Sequence, residues 1–263
     1  MGRPNLFRLQ PTHELTERAV TTHEPFALPT TPVRMTGVRS RRSLIVGAAV
    51  LVYFAAARPR MLRWGATRQE ARDVLAGDDL VPARWQTTRG VNITAPATAV
   101  WPWLVQIGYR RGGWYSYDWL ERQVGAGDFA QGGSAKFVVP ELQHLEVGDT
   151  IALGPSGGPT VAVLKPPNAL VLRYRMNPFT AAPAHDDDHA VLDWTWTFDL
   201  TPVGEDSCRL LVRVRADYRP RLLFAFIPLV LEPIHLLMER KMLRTLQSAI
   251  SSPQAIVKAT SRS

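Results

Sequence analysis

The residues best suited to acid–base chemistry lie close together near the C terminus. Glu232, His235 and Glu239 are three and four residues apart, which places them on neighbouring positions of a helix. An imidazole oriented by a carboxylate can take up and return a proton, so this set predicts a general acid/base pair if the helix faces a cavity. The alternative is a solvated helix start, with Glu232 at the positive end of the helix dipole and Glu239 paired to Lys241 or Arg240.

A second group of candidate residues surrounds position 116. Tyr115, Tyr117, Asp118 and Trp119 lie at the start of a short predicted helix with Ser116 as its N-cap. Tyrosine hydroxyls could position a substrate carbonyl, and Asp118 could act as a base. The alternative is that Asp118 stabilises the helix start while the aromatic rings pack in the core.

Other polar clusters do not predict chemistry. The acidic run between His185 and His189 lies between two predicted strands and is typical of a solvated loop. The single Glu-x-x-His copy supplies too few ligands for a metal, and the lone Cys208 excludes a cysteine zinc cluster or an internal disulfide. No phosphate-binding glycine loop or serine-nucleophile elbow is present. The sequence predicts neither a metal nor a cofactor.

The basic charge is concentrated near the N terminus. The chain has a formal net charge of +8, and residues 1–63 hold ten Arg against three Glu, so the remainder is nearly neutral. A basic leader beside an apolar run favours a membrane surface as partner over nucleic acid, for which no recognition motif is present.

Residues 1–42 are predicted to be a disordered basic leader, with Met35 as an alternative start. Residues 43–57 carry no charge, and with the residues after them they predict a single-pass anchor in the cell membrane at 43–62. Two alternatives stay open. Arg41 and Arg42 resemble a twin-arginine export signal, and the run could also be a buried helix. Equal numbers of arginines flank the run, so the side of the membrane is not predicted.

The elements after residue 84 predict an α+β fold. A first strand is followed by two short helices, a series of antiparallel strands and a C-terminal amphipathic helix. The first strand covers 88–94, the short helices 96–107 and 116–124, the later strands 135–139, 150–153, 160–164, 169–176, 191–200 and 208–218, and the last helix 234–250. Strict alternation in the later strands predicts a sheet with one wet face and one dry face, the dry face covered by the last helix.

This order is that of a helix-grip fold, and several segments resemble the SRPBCC (START-like, Bet v 1-like) superfamily, in particular its bacterial polyketide cyclase/dehydrase-type members. The resemblance covers about residues 63–250 and is carried mainly by ITAPATAVWPWLVQIG at 93–108, RGGWYSYDWLE at 111–121 and LEPIHLLMERKML at 231–243. It implies a curved antiparallel sheet of about six or seven strands in a domain at 84–251, with a linker or arm at 63–83 and a disordered tail at 252–263. The glycine-rich stretch 126–138 departs from the pattern of the relatives.

The resemblance also implies a cavity between the sheet and the long helix that accepts apolar molecules. The residues expected to line it are aromatic or long and apolar: Trp103, Tyr115, Tyr117, Trp119, Tyr174, Trp194, Trp196 and Met238. The leading hypothesis is a membrane-tethered, noncatalytic binding protein for a small hydrophobic ligand such as a lipid or polyketide. One alternative is a cyclase or dehydratase that uses Asp118, His235 or Glu239. Another is a tethered interaction protein whose own tryptophans fill the cavity.

Overall fold

The computed structural model describes residues 38–117, 134–224 and 231–250. A continuous helical segment comes first, formed by α1 (Val38–Val52), a π-helical turn (Tyr53–Ala57) and α2 (Arg58–Leu62). Pro59 lies directly after the π-helical turn, in the first turn of α2. Within this segment Ser43–Leu62 is one helix of 20 residues that is long and apolar enough to cross a membrane. At 1.5 Å per residue it is about 30 Å long, and its uncharged part, residues 43–57, is about 23 Å long against a hydrocarbon core of about 30 Å.

Five antiparallel strands form one open sheet in the order β1-β5-β4-β3-β2. The strands are β1 (Trp85–Ile93), β2 (Thr160–Lys165), β3 (Ala169–Met176), β4 (Val191–Pro202) and β5 (Cys208–Arg219). Three further elements are α3 (Ala97–Val105) and two 3₁₀ turns (Pro140–Leu142 and Arg221–Phe224), and the chain ends in the 20-residue helix α4 (Leu231–Ile250). This α+β architecture is consistent with a helix-grip fold.

The sheet has fewer strands than the six or seven predicted. The strands predicted at 135–139 and 150–153 are absent from the described part of the chain, where Thr150 makes only one isolated bridge, to Thr160. Gly148 and Gly158 flank the segment 150–153. The turn residues between them reverse the chain before enough residues have paired to form a ladder. The helix predicted at 116–124 lies almost entirely outside the described residues.

The inner face of the sheet packs against α4. Alternation along β5 places Cys208, Leu210 and Val212 on this face, and all three are fully buried. The apolar stripe of α4 lies over them and ends at Ile250. The buried residues of that stripe are Met242, Leu243, Leu246 and Ile250. The helix α3 adds Trp103 and Leu104 to the same core.

The opposite face, predicted to be wet, is covered by residues 64–81. Arg213 of β5 is 1% exposed there. Its guanidinium pairs with Asp78 and donates to the carbonyl oxygens of Asp73 (2.8 Å) and Glu70 (2.7 Å) and to the hydroxyl of Thr88 (2.9 Å). The prediction that this face is exposed to water is wrong. The covering segment binds Arg213 largely through backbone carbonyl groups, which any sequence can supply, so its residues show no apolar pattern that would have revealed it. The boundaries predicted at residues 63, 84 and 251 stay predictions.

Candidate functional site

A charged cluster lies on the inner face where β1 passes beneath α4. Strand alternation turns Arg89 to the same side as Val91 and Ile93, and its side chain is fully buried. One guanidinium nitrogen of Arg89, Nη1, pairs with the Glu239 carboxylate and donates to Nδ1 of His235 at 2.9 Å. Burying a charge is costly unless it is paired, and here the pairing joins the sheet to the helix.

The cluster continues to the end of the N-terminal helix. Arg58 of α2 donates two hydrogen bonds to the Glu232 carboxylate, at 2.7 and 2.8 Å, and this carboxylate also accepts a bond from the indole nitrogen of Trp85 (2.8 Å). Arg89 donates from Nε to the carbonyl oxygen of Met61 at 3.2 Å. Two guanidinium groups and two carboxylates therefore tie α2, β1 and α4 together.

The protonation state of His235 follows from its partners. Burial lowers the pKa of the imidazole, and the Glu239 carboxylate opposes part of that shift. Because a guanidinium has only donors, Nδ1 of His235 must accept the bond from Arg89, which leaves the proton of the neutral ring on Nε2. Nε2 lies 3.9 Å from the Glu239 carboxylate, beyond hydrogen-bonding distance.

The basic nitrogen of this histidine is thus already occupied. The two remaining members of the predicted set, Glu232 and Glu239, are ion-paired with arginines, which lowers their basicity, although Oε1 of Glu239 makes no hydrogen bond within the described residues. The structure brings the three residues together, but as part of an ion-pair network. The sequence alternative in which Glu239 pairs with Lys241 or Arg240 in solvent is wrong, because Glu239 is buried against Arg89.

Arg89, Arg58 and Trp85 were missed at the level of sequence, although Arg89 carried a signal. It shares the parity of Val91 and Ile93, so a charged residue stood on the dry side of a predicted strand. A buried partner on the covering helix was the expected consequence. Nothing in the sequence pointed to Arg58, which comes from a distant part of the chain.

An aromatic surface forms the other half of the inner face. The ring of Trp196 stacks on Trp114, with centroids 5.6 Å apart and planes at 19°, and lies 5.0 Å from Phe198. Trp194 contacts Trp196 at 6.5 Å and Tyr174 at 6.1 Å. Adjacent strands carry these rings at matched register, since Tyr174 pairs with Trp194. We call Trp114, Tyr174, Trp194, Trp196 and Phe198 the aromatic surface.

The indole nitrogens of two neighbouring tryptophans differ. Nε1 of Trp194 donates to the sulfur of Met176 at 3.5 Å. Nε1 of Trp196 is buried and has no hydrogen-bond partner among the described residues. An unsatisfied buried donor costs about 1–3 kcal/mol, so the aromatic surface holds an unused polar group.

Trp103 and Tyr115 pack beside each other in the core, with ring centroids 5.9 Å apart. The Tyr115 hydroxyl accepts a bond of 2.6 Å from the amide of Gln106, a buried residue that sequence reasoning missed. Burial raises the pKa of Tyr115, so this hydroxyl stays protonated. Tyr117 and Met238 are half-buried. Asp118 and Trp119 lie outside the described residues.

The acidic run at 185–189 takes part in local structure. Asp186 pairs with Arg175 at 2.7 Å, and the carboxylate of Asp188 accepts a bond from the backbone N–H of His185. Within residues 38–117, 134–224 and 231–250, no group of three or more His, Cys, Asp or Glu side chains could hold a metal ion.

Comparisons with known proteins add little beyond the architecture. No family model and no curated protein matches this chain. A protein from Mesorhizobium loti is 17% identical, with a TM-score of 0.35 and coverage of 63% of this chain and 96% of that one. Truncated norcoclaurine synthase from Thalictrum flavum is 14% identical (TM-score 0.31, coverage 61% and 91%). DynU16, a putative protein of the dynemicin biosynthetic locus, is 15% identical (TM-score 0.31, coverage 61% and 46%).

The last two of these proteins have Bet v 1-like, polyketide cyclase-type folds. All three TM-scores are below 0.5, and we draw nothing about ligand or activity from them.

Proposed function

We propose that this protein is a membrane-tethered, helix-grip binding protein for a small apolar ligand, and that it is not an enzyme. The observation that carries the proposal is the aromatic surface on the inner face of the sheet. Trp194 and Trp196 stay half-buried beside Phe198, which is fully buried, so the rings keep area that a ligand can cover. Aromatic walls with few polar groups are typical of small-molecule sites.

The unpartnered indole of Trp196 narrows the ligand class. Nε1 of Trp196 is buried and makes no hydrogen bond within the described residues, so a ligand with a carbonyl or hydroxyl oxygen next to an apolar body would accept its bond once the covering side chains move aside. This would recover the cost of about 1–3 kcal/mol that the unsatisfied donor carries. The proposed ligand is therefore lipid-like or polyketide-like, with an oxygen acceptor.

The enzyme alternative, a cyclase or dehydratase, has weaker support. It needs Asp118, His235 or Glu239 as the base. The lone pair on Nδ1 of His235 accepts from Arg89 and the Glu239 carboxylate pairs with the same guanidinium, whereas Asp118 lies outside the described residues. Replacing His235 by Ala would test it directly. A turnover that depends on His235 for any substrate found would favour the enzyme over the carrier.

The tether rests on the helix Ser43–Leu62, whose apolar side chains face outward. None of its most apolar stretch is buried against the protein, so it is unlike the core helix of a soluble domain. Arginines at both ends are suited to the headgroup regions of a bilayer. Membrane attachment near the ligand site suits a carrier whose ligand dissolves in lipid.

Photolabelling of the full chain in lipid nanodiscs tests this function. A diazirine-bearing fatty acid should label the peptide that contains Trp194 and Trp196, and an excess of untagged fatty acid should compete for that labelling. Peptides from residues 43–62 provide an internal control, because a probe that is only dissolved in the bilayer labels the span. Labelling confined to the span, with none on β4, would contradict a ligand site on the sheet.

A further inference from the structure

The outward face of α4 changes character along its length. Its first two turns expose three large apolar side chains: Leu231 (46%), Ile234 (45%) and Leu237 (51%). Further along the helix, the outward positions are Lys241, Arg244 and Ser248. A water-facing helix surface has no need for leucine and isoleucine, and their restriction to one end requires a local cause.

That end of α4 lies beside the end of the candidate membrane span. Arg58 is hydrogen-bonded to Glu232, in the first turn of α4, whereas Trp64 lies under the guanidinium groups of Arg240 and Arg244, at 5.2 and 5.6 Å. Residue 58 therefore contacts the start of α4, at residue 232, and residue 64 contacts α4 farther along, at residues 240 and 244. Residues 58–64, which are α2 and the turn after it, thus run in the same direction as residues 232–244 of α4.

This pairing sets the depth of α4 relative to a bilayer. The uncharged part of the span ends at residue 57, and Arg58 and Arg60 follow it, so residues 58–62 occupy the headgroup level if the span crosses the membrane. The first two turns of α4 lie at that same level. Its polar end, with Lys241 and Arg244, is farther from the bilayer centre by about 1.5 Å for each residue along the helix.

We propose that the first two turns of α4 lie in the membrane interface, with Leu231, Ile234 and Leu237 inserted between lipid headgroups as a second membrane contact. The inference rests on the proposed tether. The bilayer is the occupant that the structure favours, because the apolar face lies level with residues 58–62 at the end of the span and gives way to Lys241 and Arg244 farther along α4. Interfacial helices bury one apolar face in this way.

The contact would hold the domain in a fixed orientation relative to the membrane. Arg58 and Glu232 already fix the helix to the span, and an inserted face adds a second anchor beside it. A ligand drawn from the bilayer would then reach the domain near the start of α4.

Depth-dependent fluorescence quenching tests the second contact in the full chain. Single cysteines replace Ile234, Ser248 or Val50, and each is labelled with the dye NBD. The native Cys208 is fully buried, so the unsubstituted protein serves as the labelling blank. The variants are reconstituted in vesicles of phosphatidylcholine and phosphatidylglycerol that contain a spin-labelled phosphatidylcholine as quencher.

The spin label is placed either near the headgroup or deep in the acyl chain of the quencher lipid. We expect the headgroup label to quench the dye at Ile234→Cys strongly. This quenching should be at least half as large as the quenching that the deep label causes at Val50→Cys. Ser248→Cys, on the same helix face but in its polar half, should show little quenching by either lipid. Equal signals at 234 and 248 would overturn the proposal. So would a blue-shifted but unquenched dye at 234, which would mean that protein covers the face. Absence of quenching at Val50 would instead contradict the tether.

Discussion

Arg89 occupies a position on β1 that alternation assigns to the core, and its charge is met by Glu239 and His235 of α4. Such a pair contributes little net stability, because both charges lose their hydration. The pair instead specifies the position of α4 along β1, because any shift of the helix would leave a buried charge without its partner. Within the described part of the chain, Nη2 of Arg89 and Oε1 of Glu239 have no hydrogen-bond partner.

Replacing Arg89 by Met should lower the free energy of unfolding by about 3–5 kcal/mol, because Glu239 would remain as a buried, unpaired carboxylate. The double variant with Glu239→Leu should recover much of the loss. Urea unfolding of the full chain in detergent, followed by tryptophan fluorescence, measures both. Arg175→Met is the matched control, since its partner Asp186 is 96% exposed, and it should lose less than about 1 kcal/mol. Equal losses in the two single variants would contradict the buried pairing.

His235 should make stability depend on pH. Burial lowers its folded-state pKa below the unfolded value of about 6.5, so between the two values the unfolded chain holds a proton that the folded chain lacks. The free energy of unfolding therefore falls as pH drops through this window and levels off below the folded-state pKa. His235→Asn should remove this part of the dependence, because its amide oxygen can still accept from Arg89.

The comparison is made by urea unfolding at about pH 7.5 and about pH 5.5. His144→Asn is the control, because His144 is exposed and distant in sequence from the cluster, and it should leave the pH dependence unchanged. A pH dependence that survives His235→Asn would show that other groups cause it.

At the scale of elements, residues 64–81 make the sheet two-sided. The segment comes directly after α2 in the sequence and packs against β1. There the N–H of Gly90 donates to the carbonyl oxygen of Trp64 at 3.2 Å. Gly65 has a φ of +74°, and an added Cβ would lie 2.1 Å from the carbonyl oxygen of Gly90. Glycine is required there for two reasons, the left-handed backbone and the close approach.

Gly65→Ala should therefore destabilise the protein more than Gly148→Ala. Gly148 has a φ of +97°, but an added Cβ there would meet nothing within 4 Å, so only backbone strain of about 1–2 kcal/mol applies. Gly65→Ala adds displacement of the β1 backbone and should lose a further 1–3 kcal/mol or so, as overpacked sites do. Thermal unfolding of both variants provides the comparison. Equal losses would mean that the segment does not rest against Gly90.

The sequence predicted the elements whose cause is local. The alternation around Trp194 and Trp196 placed both rings on the dry face of β4, and the C-terminal helix was predicted at 234–250 against the observed Leu231–Ile250. The cover over the polar face was not predictable, because the backbone carbonyl groups that meet Arg213 have no sequence signature. The strand predicted at 150–153 does not form because the glycines on both sides of this short apolar run favour turns over a ladder.

At the scale of the whole molecule, the described part combines three features in one arrangement. An apolar helix leads to the sheet, the Arg58–Glu232 ion pair joins that helix to α4, and the buried Arg89–Glu239 pair joins β1 to α4. The aromatic surface lies on the same inner face of the sheet as Arg89. The ion pairs hold the helices and β1 in position, and the tryptophans leave apolar area that a ligand can cover. This division of roles is why we favour binding over catalysis.

Native mass spectrometry of the full chain, released from detergent micelles, distinguishes binding from an empty fold. We predict one small apolar molecule bound per chain. Occupancy should fall in Trp196→Phe, which loses the unpartnered Nε1, and persist in Trp194→Phe, whose indole nitrogen is engaged by Met176. A folded wild-type chain that carries no bound molecule, alone or after incubation with fatty acids, would contradict the account.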